Sequence, residues 1–305
     1  MPEDHASEAL SAADGPTRIR DRAAIRAAAW MIGTLVSFIA MAVAIRELST
    51  SLHTFEILAW RSLVGLVAVL GLGAVTGWHV LKAVQLRWQI ARNLVHFLGQ
   101  AGWAYGLAVL PLATVFTLEF TMPAWASLLA ILFLGERMTL ARAVAVAGGF
   151  IGILVILRPG MVALDAAMLI VLGSALAYAM AHTMTKHLTR RETIPAILFW
   201  MALVQLPIGF GLALSPLGDG WTMPGMAEAP WIAVVGLGAL SAHLCLARAF
   251  SIADAIIVMP LDFLRLPLIV LIGAWFYGEA LRPEVAIGAA IIIATLLFAL
   301  MRERG

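Results

Sequence analysis

Charge is scarce in this chain. Only 12% of its 305 residues are Asp, Glu, Lys or Arg, while 62% are hydrophobic. The mean hydropathy is +0.97. Soluble domains carry about a quarter charged residues, so this sequence cannot clothe a water-facing surface. Cysteine is nearly absent: Cys245 stands alone, which excludes an intrachain disulfide. No Gly-Lys-Ser/Thr run occurs to cradle phosphates, which argues against direct drive by ATP within the chain. No His-Glu-x-x-His helix occurs either, and no cluster of side chains has metal-ligand spacing. Neither a metal nor a cofactor is therefore expected. The net charge of +2 would hint at nucleic acid in a soluble protein. Here the basic residues sit between apolar blocks, so membrane topology explains them and no nucleic-acid partner is expected.

What the chain has in abundance is long apolar runs. Helices are expected at 27–45, 55–77, 90–109, 112–134, 142–158, 166–186, 194–214, 230–249, 254–277 and 284–301. Runs of about 20 apolar residues cross a bilayer as helix. Backbone groups in lipid must be satisfied within the segment, which rules out open strands. The first run is too long for a signal-peptide core and lacks a small-residue cleavage site, so it reads as a retained helix.

With the N-terminus inside, the cytoplasmic segments hold fifteen Lys and Arg residues, Arg92 among them, against Arg46, Arg158 and Arg282 outside. That imbalance sets the orientation, with membrane lipid as the surrounding partner. A shift of 143 residues superposes Glu136 on Glu279 and Glu119-Phe120 on Asp262-Phe263. An odd number of spans per half turns the second half upside down, as in many carriers. The expected fold is all-α: ten transmembrane helices as two inverted five-helix repeats, both termini cytoplasmic. The corresponding units are a tail at 1–26, a first repeat at 27–160, a second at 161–301 and a short tail at 302–305.

Ionisable residues at membrane depth are candidates for function. Glu119 and Asp262 lie some 10–14 Å inside the expected helices four and nine, at about 1.5 Å per residue. A buried carboxylate there can take a proton or neutralise a cationic substrate. The structural alternative is an ion pair, and Asp262 and Arg265 have the spacing for a local one. Arg61 can fork onto a substrate carboxylate or phosphate, or can snorkel or pair with an acid such as Glu119 to hold the bundle. On the third helix Asn93, His96, Gln100 and Trp103 share one face. They read as a cavity wall that hydrogen-bonds and stacks on a ring, or as interhelical glue. Ser174, Tyr178 and His182 form a second stripe on helix six. His243 is solitary and reads as a packed residue. Pro123, Pro260 and Pro267 flank the two acids and suit a bending gate, although membrane helices also tolerate proline.

Several short motifs resemble the drug/metabolite transporter superfamily, in its ten-helix branch of paired EamA-type repeats. They are Phe55-Glu56-Ile57-Leu58-Ala59-Trp60-Arg61, Leu110-Pro111-Leu112-Ala113, Pro123, and the pairs Gly135-Glu136 and Gly278-Glu279. The family pattern puts glycines about nine and sixteen residues after each Glu. The first half keeps only the later, Gly152, and the second only the earlier, Gly288. Because the family often has Arg at the position of Arg61 whatever the substrate, the resemblance implies a structural role there. The runs Arg92–Gln100 and Leu118–Pro123 are similar to a bacterial subgroup associated with uptake of riboflavin or S-adenosylmethionine.

The resemblance implies a secondary transporter of the bacterial cytoplasmic membrane, not an enzyme. It would carry a small organic metabolite of vitamin, nucleoside-derivative or amino-acid type by alternating access, with proton coupling open to the buried acids. The alternatives are a membrane-embedded enzyme acting on a lipid or small metabolite, and a channel or scaffold. Substrate, direction and oligomeric state are not written in the sequence.

Overall fold

The computed structural model describes residues 16–134, 139–158, 165–218, 220–252 and 261–302. All regular structure among them is helical. The helices are α1 (Pro16–Leu48), α2 (Thr54–Thr76), α3 (Leu86–Val109), α4 (Leu112–Glu119), α5 (Met122–Leu134), α6 (Leu140–Leu157), α7 (Ala166–Leu188), α8 (Ile194–Ala213), α9 (Ala229–Ile252), α10 (Arg265–Tyr277) and α11 (Pro283–Arg302), with a 3-10 turn at Trp78–Leu81. Six stretches are long and apolar enough to cross a membrane, and residues 112–129 of α4 and α5 count as one of them.

Local chemistry sets the helix starts. His53 caps α2: its Nδ1 accepts from Phe55 N–H at 3.3 Å, while Glu56 accepts from His53 N–H at 2.9 Å. Two orphan donors are thereby satisfied reciprocally. Asp165 caps α7 and Thr193 caps α8 through Ala167 and Ala196 N–H. α1 starts at Pro16, inside the segment expected to be a polar tail. Its Ala and Arg residues are strong helix formers, and proline suits a first position.

The expected fourth helix is not continuous. It breaks at Phe120–Thr121, just after Glu119, and Pro123 falls in the first turn of α5. The ninth block behaves alike: Asp262 ends a helical pair, Phe263–Leu264 form a turn, and Pro267 lies in the first turn of α10. Each proline sits where its missing N–H has no intrahelical partner to lose. Pro260, the third expected gating proline, and Glu136 lie outside the described residues.

The four most extensive helix contacts are α1 with α9, α3 with α7, α6 with α11, and α2 with α8. Every one joins the first half of the chain to the second. Each pair is antiparallel. Gly33 faces Cys245 while Gly238 faces Met41; Gly99 faces Tyr178 while Gly106 faces Val171. Gly148 faces Thr295 while Gly288 faces Ile156; Gly209 faces Ala59 while Gly65 faces Ala202. Small residues at these seams let backbones approach, which is how membrane helices gain van der Waals contact without a hydrophobic driving force. Gly152 and Gly288 meet each other: a Cβ on Gly288 would stand 2.9 Å from Gly152 O, and one on Gly152 would stand 3.0 Å from Gly288 O.

Carboxylates pin the loops. Glu56 Oε1 accepts from Thr222 N–H at 2.5 Å, holding the 214–228 loop to the start of α2. Glu192 Oε1 accepts from Val84 and Gln85 N–H at 2.9 and 2.7 Å, holding the 77–85 loop beside the start of α8. Because α2 and α8 run antiparallel, these anchors lie at opposite ends of the bundle. Gly278, at φ 62, closes α10 in the left-handed conformation that glycine adopts freely. The chain then turns so that Glu279 accepts from Leu112 N–H at 2.8 Å, capping α4, and pairs with Arg46. Tyr277 O–H donates to Glu47 at 2.7 Å in the same cluster.

Candidate functional site

A polar cavity lies where the two halves meet. Its volume is about 50 Å³. Small-molecule sites run to about 300–1,000 Å³. This cavity falls well below that range. The cavity is narrow here, and a metabolite requires its walls to part.

The two stripes read from the sequence face each other across it. His96, Gln100 and Trp103 come from α3, and Tyr178 and His182 from α7. The His96 and Tyr178 rings meet edge to face with centroids 5.4 Å apart. Ser174 and Asn93 do not line the cavity. Ser174 returns its hydroxyl to Ile170 O at 3.0 Å, and Asn93 Oδ1 accepts from Arg92 at 2.8 Å. Arg92, near the start of α3, is 3% exposed and also donates to Thr185 at 3.0 Å. It lies in the seam between α3 and α7.

Glu119 supplies the cavity's carboxylate. Its Oε2 accepts from the Trp103 indole N–H at 2.8 Å and its Oε1 from Arg265 at 3.3 Å. Arg265 also donates to Asp262 Oδ2 at 2.6 Å. Its guanidinium carbon lies 4.6 Å from the Phe38 ring centroid, 5.2 Å from Phe120 and 5.8 Å from Phe116. Rings at that range attract a cation. Asp262 and Arg265 therefore stand behind Glu119 and do not line the cavity themselves. A pair between Arg61 and Glu119, one of the alternatives for Arg61, is not formed; Arg265 occupies that carboxylate. Arg61 lines the cavity with 5% exposure and has neither hydrogen bond nor ion pair among the described residues.

Sequence reasoning missed four residues at or beside the cavity. His243 lines the cavity from α9, 6.4 Å from His96 between ring centroids. Phe38 and Met41 line it from α1. Gln205, fully buried on α8, donates to Asn93 O at 3.2 Å and meets His96 Nδ1 at 3.1 Å. If Gln205 Nε2 is the donor to Nδ1, the imidazole carries its proton on Nε2. A lone amide in an apolar helix was the available signal for Gln205. Phe38 and Met41 gave none.

Residues 25–158 match the EamA-like transporter family. An S-adenosylmethionine uptake transporter of Rickettsia conorii is 29% identical over 275 residues, 90% of this chain and 92% of its own length. A riboflavin transporter of Rhizobium johnstonii is 36% identical over 214 residues, 70% of each chain. A riboflavin transporter of Brucella anthropi is 30% identical over 261 residues, 84% of this chain and 91% of its own. One solved crystal structure aligns over 91% of this chain and 97% of its own with a TM-score of 0.63 at 16% identity, which shows a shared fold alone. With its apolar helices and these bacterial relatives, the protein is a multi-pass integral protein of the bacterial inner membrane. The chain belongs to the EamA-like transporter family, within the drug/metabolite transporter superfamily.

Proposed function

We propose that this protein is a secondary carrier that moves a medium-sized organic metabolite across the membrane by alternating access. The observation that carries the reading is the cavity itself: polar side chains from α2, α3 and α4 meet others from α7 and α9 across the seam between the halves. A site at such a seam is exposed to either side as the halves rock. Two inverted five-helix repeats, 27–160 and 161–301, with both termini cytoplasmic, fit the same reading. In support, the equivalent helices α2 and α8 pack antiparallel, as do α6 and α11, and the chain breaks after both Glu119 and Asp262.

In this carrier His96, Gln100, Trp103, Tyr178 and His182 contact the substrate, with Trp103 offering a stacking face. Glu119, backed by Asp262 and Arg265, is the group through which a proton gradient acts. The breaks beside Pro123 and Pro267 provide the bending points. The relatives' names direct attention to S-adenosylmethionine and riboflavin as cargo. The test is uptake of both, with several amino acids, into proteoliposomes with and without an imposed proton gradient. Saturable accumulation of one compound, recovered chemically unchanged, supports the carrier. Conversion of the compound, or non-saturating flux, sinks it in favour of an enzyme or a channel.

A further inference from the structure

The carrier reading leaves open what chemistry the cavity selects, and Arg61 narrows it. Glu119 is the carboxylate lining the cavity, and both its oxygens are already engaged, by Trp103 and Arg265. Arg61 is left without an acid. Its side chain is buried at 5% exposure and lines the cavity. Arg92 has no acid either; its contacts are the neutral Thr185 and Asn93. Arg61 therefore brings to the cavity a positive charge that no described residue pairs with.

Uncompensated buried charge is costly, and a protein retains it where a ligand completes the pair. Arginine stays protonated at any physiological pH, so proton loss offers no escape. Beside Arg61, the Tyr178 hydroxyl and the His182 and His243 rings line the same space with no hydrogen-bond partner among the described residues. Five guanidinium N–H groups in a fork, a phenol O–H and imidazole N–H groups form a set of donors.

The geometry points to Arg61 as the seat for an anionic group of the cargo, a carboxylate or a phosphate, taken by a forked contact. This rests on the carrier reading for the word cargo, but not for the binding chemistry. The Phe38, Trp103 and Tyr178 rings then face the organic remainder. An uncharged cargo would leave Arg61 unpaired in the loaded state.

Two matched pairs of compounds test it on the purified full chain in detergent. One pair is S-adenosylmethionine and its carboxyl methyl ester; the other is riboflavin and riboflavin 5′-phosphate. Binding is read by equilibrium dialysis of labelled compound. The member bearing the free carboxylate or phosphate in at least one pair is expected to bind about 10- to 100-fold more tightly, the worth of a charged hydrogen bond. A preference in the first pair identifies a carboxylate, and in the second a phosphate. Arg61→Gln is expected to erase the preference, and Arg61→Lys, which keeps the charge but loses the fork, to retain part of it. Should the Gln variant fail to fold, the partial loss in the Lys variant still decides the matter. Equal binding within both pairs, absence of binding included, overturns the inference, as does a preference that survives Arg61→Gln. Anion preference without uptake in vesicles would sink the carrier reading and leave this one. Uptake without preference would do the reverse.

Discussion

Glu119 and Arg265 meet at 3.3 Å although 146 residues separate them in sequence. One belongs to the first half of the chain and the other to the second. Arg265 follows the turn at Phe263–Leu264, and its one guanidinium serves both Glu119 and Asp262. Removing one member of a buried pair strands the other, at a cost of about 3–5 kcal/mol. Arg265→Leu is expected to lose stability on that scale, because two carboxylates are left behind. The triple change with Glu119→Gln and Asp262→Asn is expected to recover part of it. Thermal unfolding in detergent reads both, and equal melting of the single and triple variants would refute the network.

Trp103 holds the other oxygen of Glu119. Trp103→Phe keeps a ring against Phe116, 6.0 Å away between centroids, but removes the N–H donor. The expected loss is about 1.5–3 kcal/mol, that of a hydrogen bond to a charged group. It should shrink to that of a neutral hydrogen bond, about 0.5–1.5 kcal/mol, when Glu119→Gln is already present, because the amide oxygen still accepts but carries no charge; a double-mutant cycle measures the difference. Additive losses would show that the indole acts only by packing.

Glu279 caps α4 through Leu112 N–H while pairing with Arg46. Glu279→Ala removes both and is expected to cost about 1–3 kcal/mol. Glu279→Gln keeps an acceptor for the Leu112 amide and should cost less. Chemical denaturation of the two variants orders them, and identical stabilities would mean that neither contact matters.

The Gly152–Gly288 crossing leaves no room for a side chain. Ala at either position is expected to be tolerated poorly and Leu worse, with overpacking costing about 1–3 kcal/mol or more. Monodisperse yield on size exclusion gives the ranking. Full yield of Gly288→Leu would show that α6 and α11 are not in close contact.

Much of this was legible in the sequence because membrane helices must be apolar where they meet lipid. The ten blocks and the inward faces of α3 and α7 followed from that constraint, and Arg61, His96, Gln100, Trp103, Glu119, Tyr178 and His182 all line one cavity. Periodicity marks which face of a helix points inward but not which inward faces converge. Hence the spacing of Asp262 and Arg265 foretold their local ion pair but not that the pair stands behind Glu119, while His243 looked solitary and joins the cavity. The break at Phe120–Thr121 was hidden for a related reason. An apolar run does not record where its ladder of hydrogen bonds is interrupted, and Pro123 lies beyond the break itself. Glu279 was visible as a motif, yet its partners Arg46 and Leu112 come from segments that nothing in the spacing connects to it.

The dominance of seams between halves bears on how the protein is made. The closest partners of α1, α2, α3 and α6 are α9, α8, α7 and α11, all synthesised later. While the first half waits in the membrane, Gly99, Gly102 and Gly106 have no α7 to pack against, and His96 and Gln100 have no cavity to share. An amide or imidazole turned to lipid is costly. The nascent chain must therefore keep these groups sheltered, in the translocon or by provisional self-packing, until the ribosome has delivered its second half.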